Sequence, residues 1–301
     1  MNKGRIEAVF LMIILAVIWG SSFILMKKGM LTYSPDQVAS MRILFAAIVF
    51  IPYMIKSVKS IPWDKFKYIM IFGLLEVGIP PFLYTYAQMH VDSSSAGILN
   101  SLVPIFTLIS GIIIFKLRYN ILTTIGVLIG LIGALLITYF KIGSAGTTMD
   151  LTNSWGLLIV LATLFYGIGG NIMKEKLDNI PGPIITGVAF ISLAIPAGIY
   201  LFTTNFISIP VNNSHNLHSL IAIILLAVFG SAMAMVVFSR LIKQSNALFA
   251  SFVTWLIPFV SLLWGWVDGE NISYLHFSSM AFIFLGIYIS GLGEKKTIKA
   301  S

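Results

Sequence analysis

The chain has 301 residues, of which 58% are hydrophobic and only 10% are charged, and its mean hydropathy is +0.96. A soluble domain of this length needs far more charged side chains on its surface, so the composition excludes an ordinary soluble protein. Because the sequence contains no cysteine, disulfides, thiolate chemistry and cysteine-ligated zinc or iron–sulfur centres are excluded as well.

Apolar runs of about 20 residues follow one another along the whole chain, and each is long enough to cross a hydrocarbon core about 30 Å thick. The first run is too long for a cleaved signal peptide and lacks a small-residue cleavage site. The sequence therefore predicts an all-α polytopic membrane protein with ten transmembrane helices, at roughly 6–26, 36–55, 67–89, 94–115, 121–140, 154–173, 182–202, 217–239, 246–267 and 273–293.

The net charge of +8 is distributed unevenly between the two sides of the predicted membrane. If the N-terminus is placed inside, the outside segments hold only Lys27, Lys28 and Lys141, Arg42 lies within a span, and all other Lys and Arg are inside. The positive-inside rule then predicts cytoplasmic N- and C-termini. We expect the membrane to be the plasma or inner membrane of a prokaryote. The basic charge thus indicates orientation and gives no reason to expect a nucleic-acid partner.

The sequence repeats itself at two nearly equal offsets. Trp19-Gly20-Ser21-Ser22 with Lys27 is followed 147 residues later by Tyr166-Gly167-Ile168-Gly169 with Lys174, and Pro104 is followed 154 residues later by Pro258. We therefore predict a first five-helix repeat at 1–140, a linker loop at 141–153, a second repeat at 154–293 and a cytoplasmic tail at 294–301. Because each repeat has an odd number of spans, the second repeat is expected to be inverted.

Such duplicated membrane proteins are usually built from halves that rock around a central site, which makes transport the leading hypothesis. Prolines inside the spans are candidate hinges, because each removes the hydrogen bond to the carbonyl four residues earlier. Simple kinking for helix packing is the alternative. The matched prolines Pro104 and Pro258, each with a polar residue four positions before it, are the stronger indication of a binding site. The candidate hinges are Pro80, Pro104, Pro196 and Pro258.

Two ionisable residues, Arg42 and Glu76, lie clearly inside predicted spans. Charges at membrane depth are costly, so they face the bundle interior and usually mark a pathway. Arg42 would hold a substrate carboxylate, while Glu76 would bind an amine or exchange a proton. The alternative is a structural ion pair between spans 2 and 3. The repeat-equivalent positions are Ala189 and Gly230, so both charges are confined to the first half.

Weaker candidates for substrate binding are polar or aromatic residues near the same depth, for which packing is the alternative role. The full set of candidate substrate-binding residues is Arg42, Glu76, Trp19, Ser22, Tyr84, Asn100, Asn171, Thr254 and Trp255. In the fifth span, Gly126, Gly130 and Gly133 indicate helix packing or dimerisation, so a homodimer is a candidate assembly.

The residues also resemble a known family. Trp19-Gly20-Ser21-Ser22-Phe23 with Lys27, then Ser34-Pro35 followed by Arg42, together with Ala250 to Pro258 closing on Gly269-Glu270, resemble the EamA-type permeases of the drug/metabolite transporter superfamily. The resemblance implies ten spans in two inverted repeats, cytoplasmic termini, a central cavity and alternating access. It also implies transport of small metabolites, often the export of amino acids or related compounds.

Two departures from the family pattern weaken any transfer of a particular substrate. Lys116 stands where the pattern ends the fourth span with a glutamate, and Tyr166 replaces the tryptophan of the second half. A flippase or efflux protein for lipids or amphipathic drugs, with the same fold, is the first alternative. An intramembrane enzyme is disfavoured because no His-Glu-x-x-His or Gly-x-Ser-x-Gly motif exists and all four histidines lie in loops or at span ends.

The expected partners are therefore a small-molecule substrate and the lipid bilayer, with protons as a candidate coupling ion. Nothing in the sequence requires a metal, nucleotide or redox cofactor, and it contains no nucleotide-binding motif to power primary transport.

Overall fold

A computed structural model of the chain describes residues 3–91, 93–144, 154–211, 213–267 and 274–300, and in these ranges the only regular structure is helical. The first half contains α1 (Lys3–Gly29), α2 (Pro35–Ser57), α3 (Phe66–Gly73, Leu74–Gly78 and Ile79–Ala87), α4 (Ser93–Asn100 and Val103–Ile113) and α5 (Ile121–Ser144). The second half contains α6 (Gly156–Leu177), α7 (Gly182–Thr203), α8 (Ser214–Leu225, Leu226–Met233 and Ala234–Gln244), α9 (Ala247–Ser251 and Val253–Val267) and α10 (Tyr274–Ala300). Most of the predicted linker and Glu270 lie outside the described residues.

The prediction of an all-α polytopic membrane protein with ten helices is confirmed. In the described part of the chain, six helices are long and apolar enough to span a membrane by themselves. The described parts of α4, α5, α9 and α10 supply shorter apolar helices, at Val103–Ile113, Ile121–Leu136, Ala247–Val260 and Ser278–Gly293.

Local sequence signals account for the starts and the breaks of the helices near the centre. Ser34 caps α2 in a capping box with Gln37, and Pro35 occupies the first turn, where a missing N–H costs nothing. In α3, the segment Leu74–Gly78 is π-helical and precedes Pro80, which has no N–H to continue the helical hydrogen bonds. In α4, helix formation stops after Asn100 and resumes at Val103, immediately before Pro104.

The second half shows interruptions at comparable places, but not all of them coincide with a proline. Leu226–Met233 of α8 is also π-helical, and position 228, which is 154 residues after Leu74, falls within it. α9 is interrupted at Phe252, whereas Pro258 lies inside its second segment and Pro196 lies inside the continuous α7. Whether any of the four prolines acts as a hinge remains a prediction.

Small residues let α5 and α10 approach each other closely within the chain. A Cβ on Gly126 would lie 2.4 Å from the backbone nitrogen of Ser290, and one on Gly133 would lie 2.7 Å from that of Ile283. A Cβ on Gly130 would meet the ring of Trp255, at 2.1 Å. The glycines of α5 therefore serve packing inside the monomer, and a homodimer remains a prediction that must rest on another surface.

Candidate functional site

A central cavity with about 950 Å³ of empty space, its open mouth included, lies between the two halves. Its described lining comes from α1 to α4 and from α6 to α9, and none of it comes from α5 or α10. α5 and α10 are absent from the described lining because their small-residue faces pack against each other.

Most of the predicted substrate-binding residues meet at this cavity. Seven of the nine lie in its lining: Trp19, Ser22, Arg42, Glu76, Tyr84, Asn100 and Thr254. The structure places Asn171 and Trp255 elsewhere. The Asn171 amide nitrogen donates to the carbonyl of Thr107, at 2.8 Å, and to Ser110 Oγ, at 2.9 Å, so this amide joins α6 to α4.

Trp255 is fully buried and helps to hold the interrupted helices together. Its ring stacks on Phe252 at 4.7 Å between centroids, and its indole N–H donates to the carbonyl of Ser101, at 3.1 Å. Ser101 lies 154 residues before Trp255, so equivalent positions of α4 and α9 touch where these helices cross. The sequence could not separate this packing role from a lining role, because the rotation of a helix that is apolar all round is not encoded in its pattern.

Arg42 is half-buried in the cavity wall and is held by two neutral groups of α8. Its Nε donates to Ser231 Oγ, at 2.5 Å, and one terminal nitrogen donates to the carbonyl of Gly230, at 3.4 Å. A guanidinium has five N–H donors in a fixed planar fork. These bonds therefore fix the plane of the group and leave further donors for a ligand in the cavity.

The alternative of a structural ion pair between Arg42 and Glu76 is not realised. Among the described residues the ion pairs are Lys174 with Asp178, and Arg240 with Glu7. Glu76 is only 6% exposed, and its Oε1 accepts no hydrogen bond from any described group. One cavity therefore contains a guanidinium and a carboxyl that do not neutralise each other by direct contact.

The Glu76 carboxyl and the Arg42 guanidinium lie at equivalent turns of the two halves. Glu76 lies in the π-helical turn of α3, and Gly230, 154 residues later, lies in the π-helical turn of α8. Because Arg42 bonds to Gly230 and Ser231, its guanidinium sits against the turn of the second half that corresponds to the turn carrying Glu76. The cavity thus has a guanidinium pole, Arg42, on one side and a carboxyl pole, Glu76, on the other.

The aromatic walls show the same correspondence. Trp19 meets Phe238 edge to face at 5.2 Å between ring centroids, and Tyr166 stacks on Tyr84 at 6.1 Å. Tyr166 follows Trp19 by 147 residues, and Phe238 follows Tyr84 by 154, so the two pairs are equivalents. Each pair also carries a polar bond: the Tyr84 hydroxyl donates to Asn100 Oδ1, at 2.6 Å, and the Trp19 indole N–H donates to the carbonyl of Gly230, at 3.2 Å.

Sequence reasoning missed several residues of the site. Ser231 is the chief partner of Arg42, and Phe238 and Phe190 contribute to the apolar wall. The repeat offset could have identified Ser231 and Phe238, since they follow the lining residues Val77 and Tyr84 by 154 positions. No group of His, Asp or Glu in the described part of the chain has the arrangement of a metal site.

Ten apolar helices, eight of which line a cavity with polar walls in the described part of the chain, define a multi-pass membrane protein with an internal cavity. The chain belongs to the EamA-like transporter family, whose model matches residues 6–139 and again 153–292. It is therefore a membrane transporter, and the family resemblance drawn from the sequence motifs is confirmed.

Curated relatives agree with this assignment over nearly their whole length. The chain is 24% identical to the "Uncharacterized inner membrane transporter YedA" of Escherichia coli (strain K12), over 93% of this chain and 89% of the relative. It is 24% identical to an "Uncharacterized transporter" of Archaeoglobus fulgidus, over 90% of this chain and 94% of the relative. It is 22% identical to "Protein PagO" of Salmonella typhimurium, over 96% and 94%. Two of these three names are transporter names, and none is an enzyme name.

A solved crystal structure shares the fold. Its TM-score is 0.73, and the match covers 96% of this chain and 98% of the other at 16% sequence identity. At this level of identity the similarity shows the ten-helix fold and carries no information on the substrate.

Proposed function

We propose that the protein is a secondary transporter that moves a small metabolite with a carboxylate and an amine, such as an amino acid or a related compound, by alternating access. Export is the direction that the family resemblance favours. The observation that carries the proposal is that Arg42 and Glu76 line one cavity without pairing with each other.

The energetic argument concerns the cost of these groups. Each charge at membrane depth costs at least about 2.5 kcal/mol on insertion scales, and a buried polar atom without a partner adds a further penalty. A purely structural role would have reduced that cost by bringing the two side chains together. Their separation instead leaves a donor fork and a carboxyl available to the two ends of a dipolar ligand.

The walls between the poles favour a substrate with an apolar or aromatic body. Trp19, Phe23, Tyr84 and Tyr166 line the cavity together with Phe190 and Phe238. Aromatic rings give large apolar contact areas at little conformational cost. The charged poles would then orient the substrate, and the rings would supply most of the buried area.

The repeats and the interruptions in the helices support the proposal of alternating access. We place cytoplasmic termini at both ends and an inverted second half after the linker, as the charge pattern and the repeat predict. The π-helical turns of α3 and α8 and the breaks of α4 and α9 flank the cavity, where non-ideal backbone is tolerated at membrane depth.

The test is a transport assay in proteoliposomes with a panel of labelled amino acids and amines, with and without a pH gradient. Arg42→Ala and Glu76→Gln should each lower the rate of the substrate so identified by about tenfold or more, since a charged hydrogen bond contributes about 1.5–3 kcal/mol. Arg118→Ala and Glu175→Gln are matched controls, because both side chains are exposed and outside the cavity.

Full transport by both cavity variants would overturn the site assignment. The pH-gradient arm separates two modes of transport. A flux that rises with an imposed gradient supports exchange of the substrate for a proton, whereas a flux that ignores the gradient supports a facilitator.

A further inference from the structure

The side chain of Glu76 occupies a notch in α6 that exists because residue 169 is glycine. A Cβ on Gly169 would lie 2.6 Å from Glu76 Cγ, 2.7 Å from Oε1 and 3.0 Å from Cδ. Real Cβ atoms do not tolerate contacts of this length, so any larger residue at position 169 would displace the carboxyl.

The equivalent contact between the two halves has the sizes exchanged. Ser22 of α1 is the equivalent of Gly169, 147 residues earlier, and Gly230 of α8 is the equivalent of Glu76, 154 residues later. A Cβ on Gly230 would lie 2.7 Å from Ser22 Oγ. In the Glu76–Gly169 contact the larger side chain comes from the helix with the π-helical turn, α3. In the Ser22–Gly230 contact it comes from the facing helix, α1.

We propose that Gly169 is a positioning residue, whose notch holds the Glu76 carboxyl and so fixes the carboxyl pole of the cavity. Its effect on transport rests on the proposed function, but the position of the carboxyl does not. Gly169 is not itself part of the lining, so it acts through Glu76 and not by touching the ligand.

The position of the carboxyl can be measured without any substrate. Dicyclohexylcarbodiimide, an apolar reagent for carboxyl groups within membranes, is applied to the purified full-length protein, and labelling of the peptide that contains Glu76 is followed by mass spectrometry. Glu76→Gln identifies the site by abolishing the label.

Gly169→Ala should accelerate labelling of Glu76 by about threefold or more, because the carboxyl is pushed from its notch towards the open cavity, and ångström-scale displacements change reaction rates by up to about a hundredfold. Gly198→Ala is the matched control. It also adds a methyl group to a buried glycine of a spanning helix, but the new Cβ would meet only Leu44 Cδ1, at 3.8 Å. Labelling equal to the wild type in folded Gly169→Ala protein overturns the proposal.

A compensating variant separates positioning from general destabilisation. Glu76→Gly combined with Gly169→Ser copies the side-chain sizes of the Ser22–Gly230 contact. This double variant should therefore elute as a single folded species with a Tm close to that of the wild type. Gly169→Ala should lower the Tm in the wild-type background and leave it unchanged in the Glu76→Gly background. An equal loss in both backgrounds would mean that residue 169 clashes with something other than Glu76, which contradicts the proposal.

Transport then provides a selectivity readout that a structural role would not change. With L-phenylalanine and its amine-free analogue 3-phenylpropanoate as probes, Gly169→Ala should reduce uptake of the amine-bearing probe alone, by about tenfold. An equal loss of both probes contradicts positioning. If the wild type transports neither probe nor any other compound of the panel, the proposed function fails, while labelling that depends on residue 169 still supports the notch.

Discussion

Neutral groups of the second half hold the Arg42 guanidinium in place. Its orientation therefore depends on the hydroxyl of Ser231. Ser231 Oγ accepts from Nε at 2.5 Å and itself donates to the carbonyl of Leu226, at 3.3 Å. The serine thus connects the guanidinium to the π-helical turn of α8. A movement of that turn would move the group that we propose to hold the substrate carboxylate.

At this scale we predict that Ser231→Ala weakens substrate binding without abolishing transport. The guanidinium would lose one charge-assisted bond, which is worth about 1.5–3 kcal/mol, but would keep its contact with the carbonyl of Gly230. The KM for the substrate found in the panel should rise about tenfold, with a smaller effect on the maximal rate.

Ser208→Ala is the matched control for Ser231→Ala. Its hydroxyl is exposed and bonds only locally, to the carbonyl of Asn205, so the KM should equal that of the wild type. An unchanged KM in Ser231→Ala would show that the orientation of Arg42 does not depend on this bond.

At the scale of helices, the sequence was sufficient for the number of spans and insufficient for their interruptions. Hydrophobic runs predicted ten helices because the bilayer imposes a minimum apolar length. Prolines indicated the irregular backbone of α3 and α4 because they lack an N–H. The π-helical turn of α8 contains no proline, so only its correspondence with α3 could have suggested it.

The candidate site was predicted only in part for a related physical reason. Charged residues at membrane depth are recognisable in a sequence, because the free energy of burying them in lipid forces them to face the bundle interior. Both Arg42 and Glu76 do line the cavity. Asn171 and Trp255 carry polar groups in apolar helices, and the Asn171 amide nitrogen and the Trp255 indole N–H donate to neighbouring backbone inside the packing. Asn171 Oδ1 accepts no hydrogen bond from any described group. Which neighbour satisfies a polar group depends on helix rotation, which the sequence of one chain does not reveal.

The close contact of α5 with α10 leads to a stability prediction. Gly126→Ala should destabilise the protein by about 1–3 kcal/mol, because the added Cβ would lie 2.4 Å from the backbone of Ser290 and overpacking at that distance moves the helices apart. The measurement is unfolding in detergent, followed by circular dichroism. Gly97→Ala is the control, since nothing lies within 4 Å of its new Cβ and alanine is the better helix former.

Size-exclusion chromatography of the same Gly126→Ala variant addresses assembly. If the glycine face is used inside the monomer, the oligomeric state should match that of the wild type even where stability falls. A variant of wild-type stability but altered oligomeric state would instead assign the glycines of α5 to a contact between copies of the chain.

At the scale of the whole molecule, the two halves share a scaffold, but the charged residues of the cavity come from the first half alone. The matched π-helical turns and aromatic pairs supply a near-symmetric frame, which two inverted halves need if they are to exchange conformations. The charges break this symmetry, because both come from the first half while Arg42 is anchored on the second. A substrate held between Arg42 and Glu76 would therefore be bound by two side chains of the first half, one of which is anchored on the second half.

The orientation of this frame can be tested because the chain contains no cysteine, so that single introduced cysteines are unique labels. The positive-inside rule places Lys59 in the cytoplasm and Ser208 outside, and both side chains are exposed. Ser208→Cys should react with a membrane-impermeant maleimide in intact cells, and Lys59→Cys should react only after permeabilisation. The reverse pattern would contradict the cytoplasmic placement of the termini.

The same labels test alternating access at the cavity itself. Ser251 and Thr254 line the cavity from α9, so a cysteine at either position should be reached from the inside in one state and from the outside in the other. Saturating substrate should slow both reactions by occupying the cavity, while Ser208→Cys keeps its rate. Simultaneous access from both sides would indicate a continuous pore, because an alternating transporter opens its central site to one side at a time.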